Sequence, residues 1–262
     1  MEKIRLDVLE DTRVSRTISG FLRTLNLCPE KHLNKIVLSV LKGGLSAASL
    51  YSFNLYEHTY VLRVLPSQAE KPVRSHQILL AKLAAELCLG PQIYYVDSEL
   101  EAFVMQYIRG RTVLASDFHD VQLLSQFALQ LKALHQTQSN FLAARSPFER
   151  FYNAYAKIKN TCLHVPDRLS EVSKTLEHIE SLLLAYPVSA AVAHLDLNPL
   201  NIMIADNKFY LVDWVNGGMS DLYFDLATFC VFQDLSEHQK KLFLEYYFGY
   251  APSRRMGSLL YY

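Results

Sequence analysis

The sequence predicts an α+β protein in two lobes: residues 1–107 form an antiparallel sheet lobe with one helix, and residues 108–262 form a mostly helical lobe. Three observations predict it. Short β-branched and aromatic runs separated by glycine-containing or polar turns fill the first lobe. Apolar residues at helical spacing dominate the second. No internal repeat, low-complexity tract or Gly/Ser linker suggests another division.

After a helical leader, residues 35–41 and 50–55 read as strands, and Lys42-Gly43-Gly44-Leu45-Ser46 between them is a hairpin signal. Residues 60–65 form a third strand, closed by Pro66. Over residues 73–89, Ile78, Leu79, Ala81, Leu83, Ala84 and Leu87 recur at helical spacing, and Gly90-Pro91 supplies a stop. Residues 93–96 and 102–107 are two more strands around a polar turn. Beyond Ile108-Arg109-Gly110, helices are expected at 121–135, 148–159, 169–184 and 237–248, with short strands at 202–205 and 209–212. A sheet lobe followed by a helical lobe suits a ligand cleft at their junction.

Composition narrows the function. The chain of 262 residues is half hydrophobic, long enough for one large domain or two small lobes with a real core. Lysine plus arginine equals aspartate plus glutamate at 26 each, so no excess positive charge is available for a nucleic-acid backbone. The most apolar stretch, residues 181–195, contains Pro187 and falls short of the roughly 20 residues of a membrane span. The start, MEKIRLDVLEDTR, has no apolar core of a signal peptide. Cys28, Cys88, Cys162 and Cys230 stand far apart, arguing against zinc and a disulfide framework. A cytoplasmic protein with buried thiols is expected.

The chemistry concentrates in His194-Leu195-Asp196-Leu197-Asn198-Pro199-Leu200-Asn201, a loop because Asn-Pro breaks regular structure. Phosphoryl transfer to an alcohol needs a carboxylate for the hydroxyl proton and oxygen ligands for a magnesium ion on the phosphates. Asp196 can supply the first. Asn201 and Asp213, the latter at the end of the apolar strand, can supply the second, since hard oxygen ligands suit Mg²⁺ better than zinc. A lone Asp or Asn in a loop is more often a turn former or cap. The order His-x-Asp, asparagine five residues after the aspartate, then a strand-end Asp is instead that of the catalytic and metal loops of kinases. His194 reads as a brace for the loop by hydrogen bonding.

HLDLNPLNIM followed by LVDWVNGGMSDLYFDLA resembles the aminoglycoside phosphotransferase and choline kinase superfamily, whose usual form is HxDxxxxN followed by IDW or IDF. GGLSAASLY is similar to its phosphate loop, LGPQIYYVD and AFVMQYIRGRT to its hinge region, and LKALH to a typical helix end, so the resemblance covers roughly residues 35 to 250. It implies a bilobal protein-kinase-like fold, ATP and Mg²⁺, nucleotide binding in residues 1–107 and catalysis with acceptor binding in residues 108–262. By it Asp196 is the catalytic base, Asn201 and Asp213 hold metal, and His194 and Asp225 support the loop. Gly43, Gly44, Ser46, Arg63, Gln106 and Ile108 then serve the nucleotide, although Gly43-Gly44 is equally what an ordinary hairpin uses.

The pattern departs in three places. Kinases place a lysine on the third strand, and this chain has Arg63, whose planar fork can also grip phosphate, as in some thiamine-kinase-like members. The helix glutamate that would pair with that cation is replaced within Arg74-Ser75-His76-Gln77 by Gln77 or His76. The chain ends at Tyr262, sooner than the family's usual final helices, so some of the acceptor pocket could be absent or remodelled.

The expected activity is phosphorylation of a small alcohol. Trp214, Tyr223, Phe224, Tyr246, Tyr247 and Tyr250 could face a quaternary ammonium, although such residues are more often core. Only scattered acids follow residue 215, namely Asp221, Asp225, Asp234, Glu237 and Glu245. That favours a monocationic alcohol such as choline, ethanolamine or thiamine over an aminoglycoside. A pseudokinase that binds nucleotide or a protein partner without turnover is the competing reading. Neither a DFG triplet nor an APE-like segment points to a protein substrate. Oligomeric state and the choice between ATP and GTP leave no trace in the sequence.

Overall fold

In the computed structural model, which describes residues 3–6, 9–41, 47–139, 142–161, 168–185 and 188–250, the chain begins with β1 (Lys3–Arg5), α1 (Thr12–Thr24), α2 (Pro29–His32), β2 (Val37–Val40) and β3 (Ser49–Leu55). Next come β4 (His58–Val64), α3 (Lys71–Glu86), β5 (Ile93–Val96), β6 (Ala102–Gln106), β7 (Arg111–Thr112) and α4 (Val121–His135). The remainder is α5 (Pro147–Lys159), α6 (Arg168–Ala185), β8 (Ala191–Ala193), β9 (Ile202–Ala205), β10 (Lys208–Leu211), β11 (Gly218–Ser220), α7 (Tyr223–Phe232) and α8 (Glu237–Phe248). These elements fall into two compact units: Met1–Leu123 with Asn198–Val215, and Leu124–Leu197 with Asn216–Tyr262.

The first unit is organised by a six-stranded antiparallel sheet in the order β1-β2-β3-β4-β6-β5. Successive side chains on a strand point to opposite faces. Leu62 and Val64 of β4 therefore share one face, where they join Leu38, Phe53 and Val104 against Val14, Ile18, Phe21 and Leu22 of α1. Each such side chain, buried, contributes roughly 1.5–3 kcal/mol of transfer free energy. Asp11 caps α1 by accepting from the Arg13 N–H at 3.0 Å. Gly20 of α1 lets the Tyr95 ring approach closely, since a Cβ there would lie 2.0 Å from the Tyr95 hydroxyl oxygen and the ring would have to shift. On the opposite face Leu65, Ile78 of α3 and Phe103 form a smaller cluster with Ile93, Val96 and Met105 packed around it. Arg63 is two residues before Leu65 and pairs in register with Phe103, so alternation turns it toward α3.

The leader differs from expectation: it contributes β1, paired Ile4 to Leu38, as well as α1 and α2. Helix α3 also stops at Glu86, before Gly90. Cys88 takes φ of 57°, its N–H donates to the Ala85 carbonyl at 3.0 Å, and the Leu89 N–H donates to Ala84 at 2.8 Å. This is a Schellman termination with cysteine where glycine is usual. Asn198–Val215 returns to this unit through the antiparallel sheet β10-β9-β7.

In the second unit, β8 and β11 form an antiparallel ribbon, Ala191 opposite Ser220 and Ala193 opposite Gly218. Phe127 of α4 stacks on Phe229 of α7 at 4.4 Å between centroids, and Phe229 lies 4.7 Å from Phe243 of α8. Neither β8, β11 nor α7 was legible in the sequence. The two strands have three residues each, and α7 (YFDLATFCVF) is apolar nearly all round, which erases a helical period. Among the described residues, no helix is long and apolar enough to cross a membrane.

Candidate active site

The second unit fixes the loop that carries Asp196. Asp225, in the first turn of α7 and fully buried, accepts from the His194 N–H through Oδ2 and from the Leu195 N–H through Oδ1, both at 2.7 Å. His135, at the end of α4, lies with Nε2 3.1 Å from Asp225 Oδ2 and Nδ1 2.7 Å from the hydroxyl oxygen of Tyr247 on α8. Burial alone would raise the Asp225 carboxyl's pKa. The His135 hydrogen bond and charge, with the charge and N–H of His194, outweigh burial and hold it below the usual carboxylate range. The clamp sustains a strained backbone: Leu195 has φ of 62°, a left-handed conformation costing a residue with a Cβ about 1–2 kcal/mol. The next residue is Asp196, half-buried, whose Oδ2 accepts from the Asn216 side-chain amide at 3.1 Å.

The first unit ties Asn201 to the residue before Asp213. Asn198 accepts from the Leu200 N–H at 2.9 Å and from the Asn201 N–H through its backbone carbonyl at 3.0 Å, which shapes the short turn Pro199–Asn201. The Asn201 carbonyl in turn accepts from the Val212 N–H at 3.0 Å, tying the turn to the residue before Asp213. Strand β10 ends at Leu211, one residue before the expected end, and its N–H donates to the Leu89 carbonyl. Asp213 lies two residues further on, with φ of 64°. Arg63 Nη2 donates to Asp213 Oδ1 at 2.6 Å, the two side chains being 6% and 15% exposed.

Arg63, Gln77, Phe103, Met105, Asp213 and Trp214 are among the residues lining a cavity of about 20 Å³. Gln77, 6% exposed, lines this cavity with Arg63 and with Ala81 of α3, and His76 is not among the lining residues. Asn201 and Asp213 fit a hard dication by their oxygen donors. Asp213 also already receives a cation, since a guanidinium stands where metal charge would sit. Among the described residues no group of three or more His, Cys, Asp or Glu could hold a metal ion.

Gly43, Gly44 and Ser46 lie outside the described residues. Gln106 ends β6, and its side-chain oxygen accepts from the Gln92 N–H at 3.2 Å; Ile108, 8% exposed, follows two residues later. Of the aromatic candidates, Trp214 and Tyr247 are buried, the latter committed to His135, while Tyr250 is exposed. Sequence reasoning missed the contacts of His135 and Asn216, and it named Tyr247 only as an aromatic candidate for the acceptor. His135 stood in the quoted LKALH without a role, and nothing in the spacing of Asn216 or Tyr247 signals theirs.

The model of the phosphotransferase enzyme family matches residues 38–256. The protein LicA of Haemophilus influenzae is 25% identical over 243 residues, which span 88% of this chain and 69% of that protein. The chain spans 57% of the length of another LicA from that species, and 64% and 61% of LicA homologues from Metamycoplasma hominis and Mycoplasma capricolum. Among solved structures, the choline kinase LicA from Streptococcus pneumoniae superposes with a TM-score of 0.71 at 20% identity, covering 95% of this chain and 86% of that one. The streptomycin-ATP-APH(2")-IIa ternary complex gives 0.63 at 17% identity, covering 92% and 83%.

Proposed function

The chain belongs to the phosphotransferase enzyme family, and on that footing we propose that it transfers the γ-phosphoryl group of ATP to the hydroxyl of a small cationic alcohol of the choline, ethanolamine or thiamine kind. The observation that carries this reading is the clamp of Asp225 on the His194 and Leu195 amides, which holds Asp196 at a fixed bend of the backbone. Asp196 accepts or orients the hydroxyl proton, and Asn216 holds its carboxylate in place. Asn201 and Asp213 hold Mg²⁺, which when bound neutralises charge on the β- and γ-phosphates. Arg63, with Gly43, Gly44, Ser46, Gln106 and Ile108, serves the nucleotide within residues 1–107 and at their border, and residues 108–262 serve catalysis and the acceptor.

Two observations support a choline-like acceptor. The Streptococcus pneumoniae structure that this chain resembles is a choline kinase, and acids after residue 215 are sparse for a polycationic aminoglycoside. The test is Mg²⁺-dependent ADP release with choline, ethanolamine, thiamine and an aminoglycoside supplied separately, and Asp196→Asn as control. Stimulation by choline, ethanolamine or thiamine that the variant loses supports the reading. Stimulation by the aminoglycoside alone replaces the acceptor. No stimulation with nucleotide still bound replaces the enzyme by a nucleotide-binding pseudokinase.

A further inference from the structure

The roles above assign Arg63 to the phosphates and Asp213 to the metal, whereas in the structure these two groups hold each other, 2.6 Å apart and largely out of water. We infer that this pair is a clasp that keeps the metal seat closed until nucleotide arrives, so that the protein takes up Mg²⁺ together with nucleotide and poorly on its own. The inference rests on the metal and phosphate roles proposed above.

The argument follows from where each charge can go. A dication arriving alone must compete for Asp213 with a guanidinium that is 6% exposed, which sets two cations on one carboxylate largely out of water. The α3 residues lining the same small cavity, Gln77 and Ala81, are neutral and offer Arg63 no replacement charge. A triphosphate does offer one: its oxygens match the planar fork, so Arg63 can leave Asp213 for a new anionic partner as metal takes its place. Metal and nucleotide are therefore coupled. By linkage, each raises the other's affinity by the same factor. Arg63 is in this sense a positioning residue, acting on the metal through Asp213.

The test reads protein-bound Mn²⁺ by electron paramagnetic resonance, without nucleotide and then with ATP. Wild type is expected to bind Mn²⁺ alone weakly and to gain bound Mn²⁺ when ATP is added. Arg63→Gln is expected to bind Mn²⁺ alone about tenfold or more tightly than wild type, and adding Asp213→Asn should remove that gain. Gln77→Glu, which gives Arg63 another carboxylate, should open the seat by a second route, again only while Asp213 is present; it decides the matter if Arg63→Gln does not fold. Folded variants that bind Mn²⁺ alone no more tightly than wild type overturn the clasp. If they do so while Asp213→Asn still lowers Mn²⁺ binding with ATP, the metal role of Asp213 stands. Asp213→Asn that leaves Mn²⁺ binding unchanged in every background overturns both.

Discussion

His135 Nε2 lies 3.1 Å from Asp225 Oδ2, a buried contact that joins the end of α4 to the start of α7 across 90 positions of sequence. The same carboxylate takes the N–H groups of His194 and Leu195, so it serves as the anchor from which the Asp196 loop hangs. Asp225→Asn should break the clamp, because one of its two oxygens becomes an NH₂ facing a backbone N–H and the buried charge beside His135 is lost. The expected loss is about 3–5 kcal/mol of stability, the range for breaking a buried charged pair. Chemical denaturation checks it, and an unchanged midpoint would remove Asp225 from this role.

The same group gives a pH signature. Its carboxyl binds a proton less readily in the folded protein than in the unfolded chain, whose value is about 3.9. The contribution is therefore complete above that value and is lost as pH falls through the lower, folded one. Urea midpoints of wild type and Asp225→Asn should differ by a constant amount from about pH 7 to pH 5 and converge below about pH 4. A gap that widens on acidification would contradict the depressed value.

Asn216 donates to Asp196 at 3.1 Å. Removing one hydrogen bond to a carboxylate that must be aimed costs about 1.5 kcal/mol, or about tenfold in rate. Asn216→Ala should therefore lower kcat for acceptor-dependent ADP release about tenfold and leave nucleotide affinity as it was. An equal loss in both would mean that Asn216 supports the fold and not the aim of Asp196.

Gly110 stands where the chain enters β7, and a Cβ there would lie 2.3 Å from the Ile204 carbonyl oxygen on β9. Backbone cannot swing aside as a flexible side chain can. Gly110→Ala should destabilise the protein by about 1–3 kcal/mol, the usual range for overpacking, and faster amide exchange in β9 would locate the damage.

Burial pushes the Cys230 thiol up to about 12, whereas Cys28 and Cys88 are exposed. The thiolate is the reactive form, so Cys230 should resist Ellman's reagent in the native protein and react only on unfolding. Cys230→Ala should leave the native thiol count unchanged, and a count lower by one would show that the α7 site opens.

The sequence by itself determined the class of fold and the family that the chain belongs to. The strands and helices with a clear period, such as Val121–His135 and Glu237–Phe248, were legible because one buried face imposes a spacing that survives in the residues. Asp196, Asn201 and Asp213 stand out in the sequence because phosphoryl transfer, as proposed, would need such groups in a short, ordered stretch. Only the tertiary structure decided what holds them. The pairs Arg63 with Asp213 and His135 with Asp225 join residues 150 and 90 positions apart, and no local pattern records a contact made by folding over such distances. The return of Asn198–Val215 to the first unit has the same origin, since β9 needs a partner strand and finds β7 far back along the chain. Where backbone and buried charge must be satisfied, the partner is set by which surfaces pack together, and spacing along the chain carries no information about that.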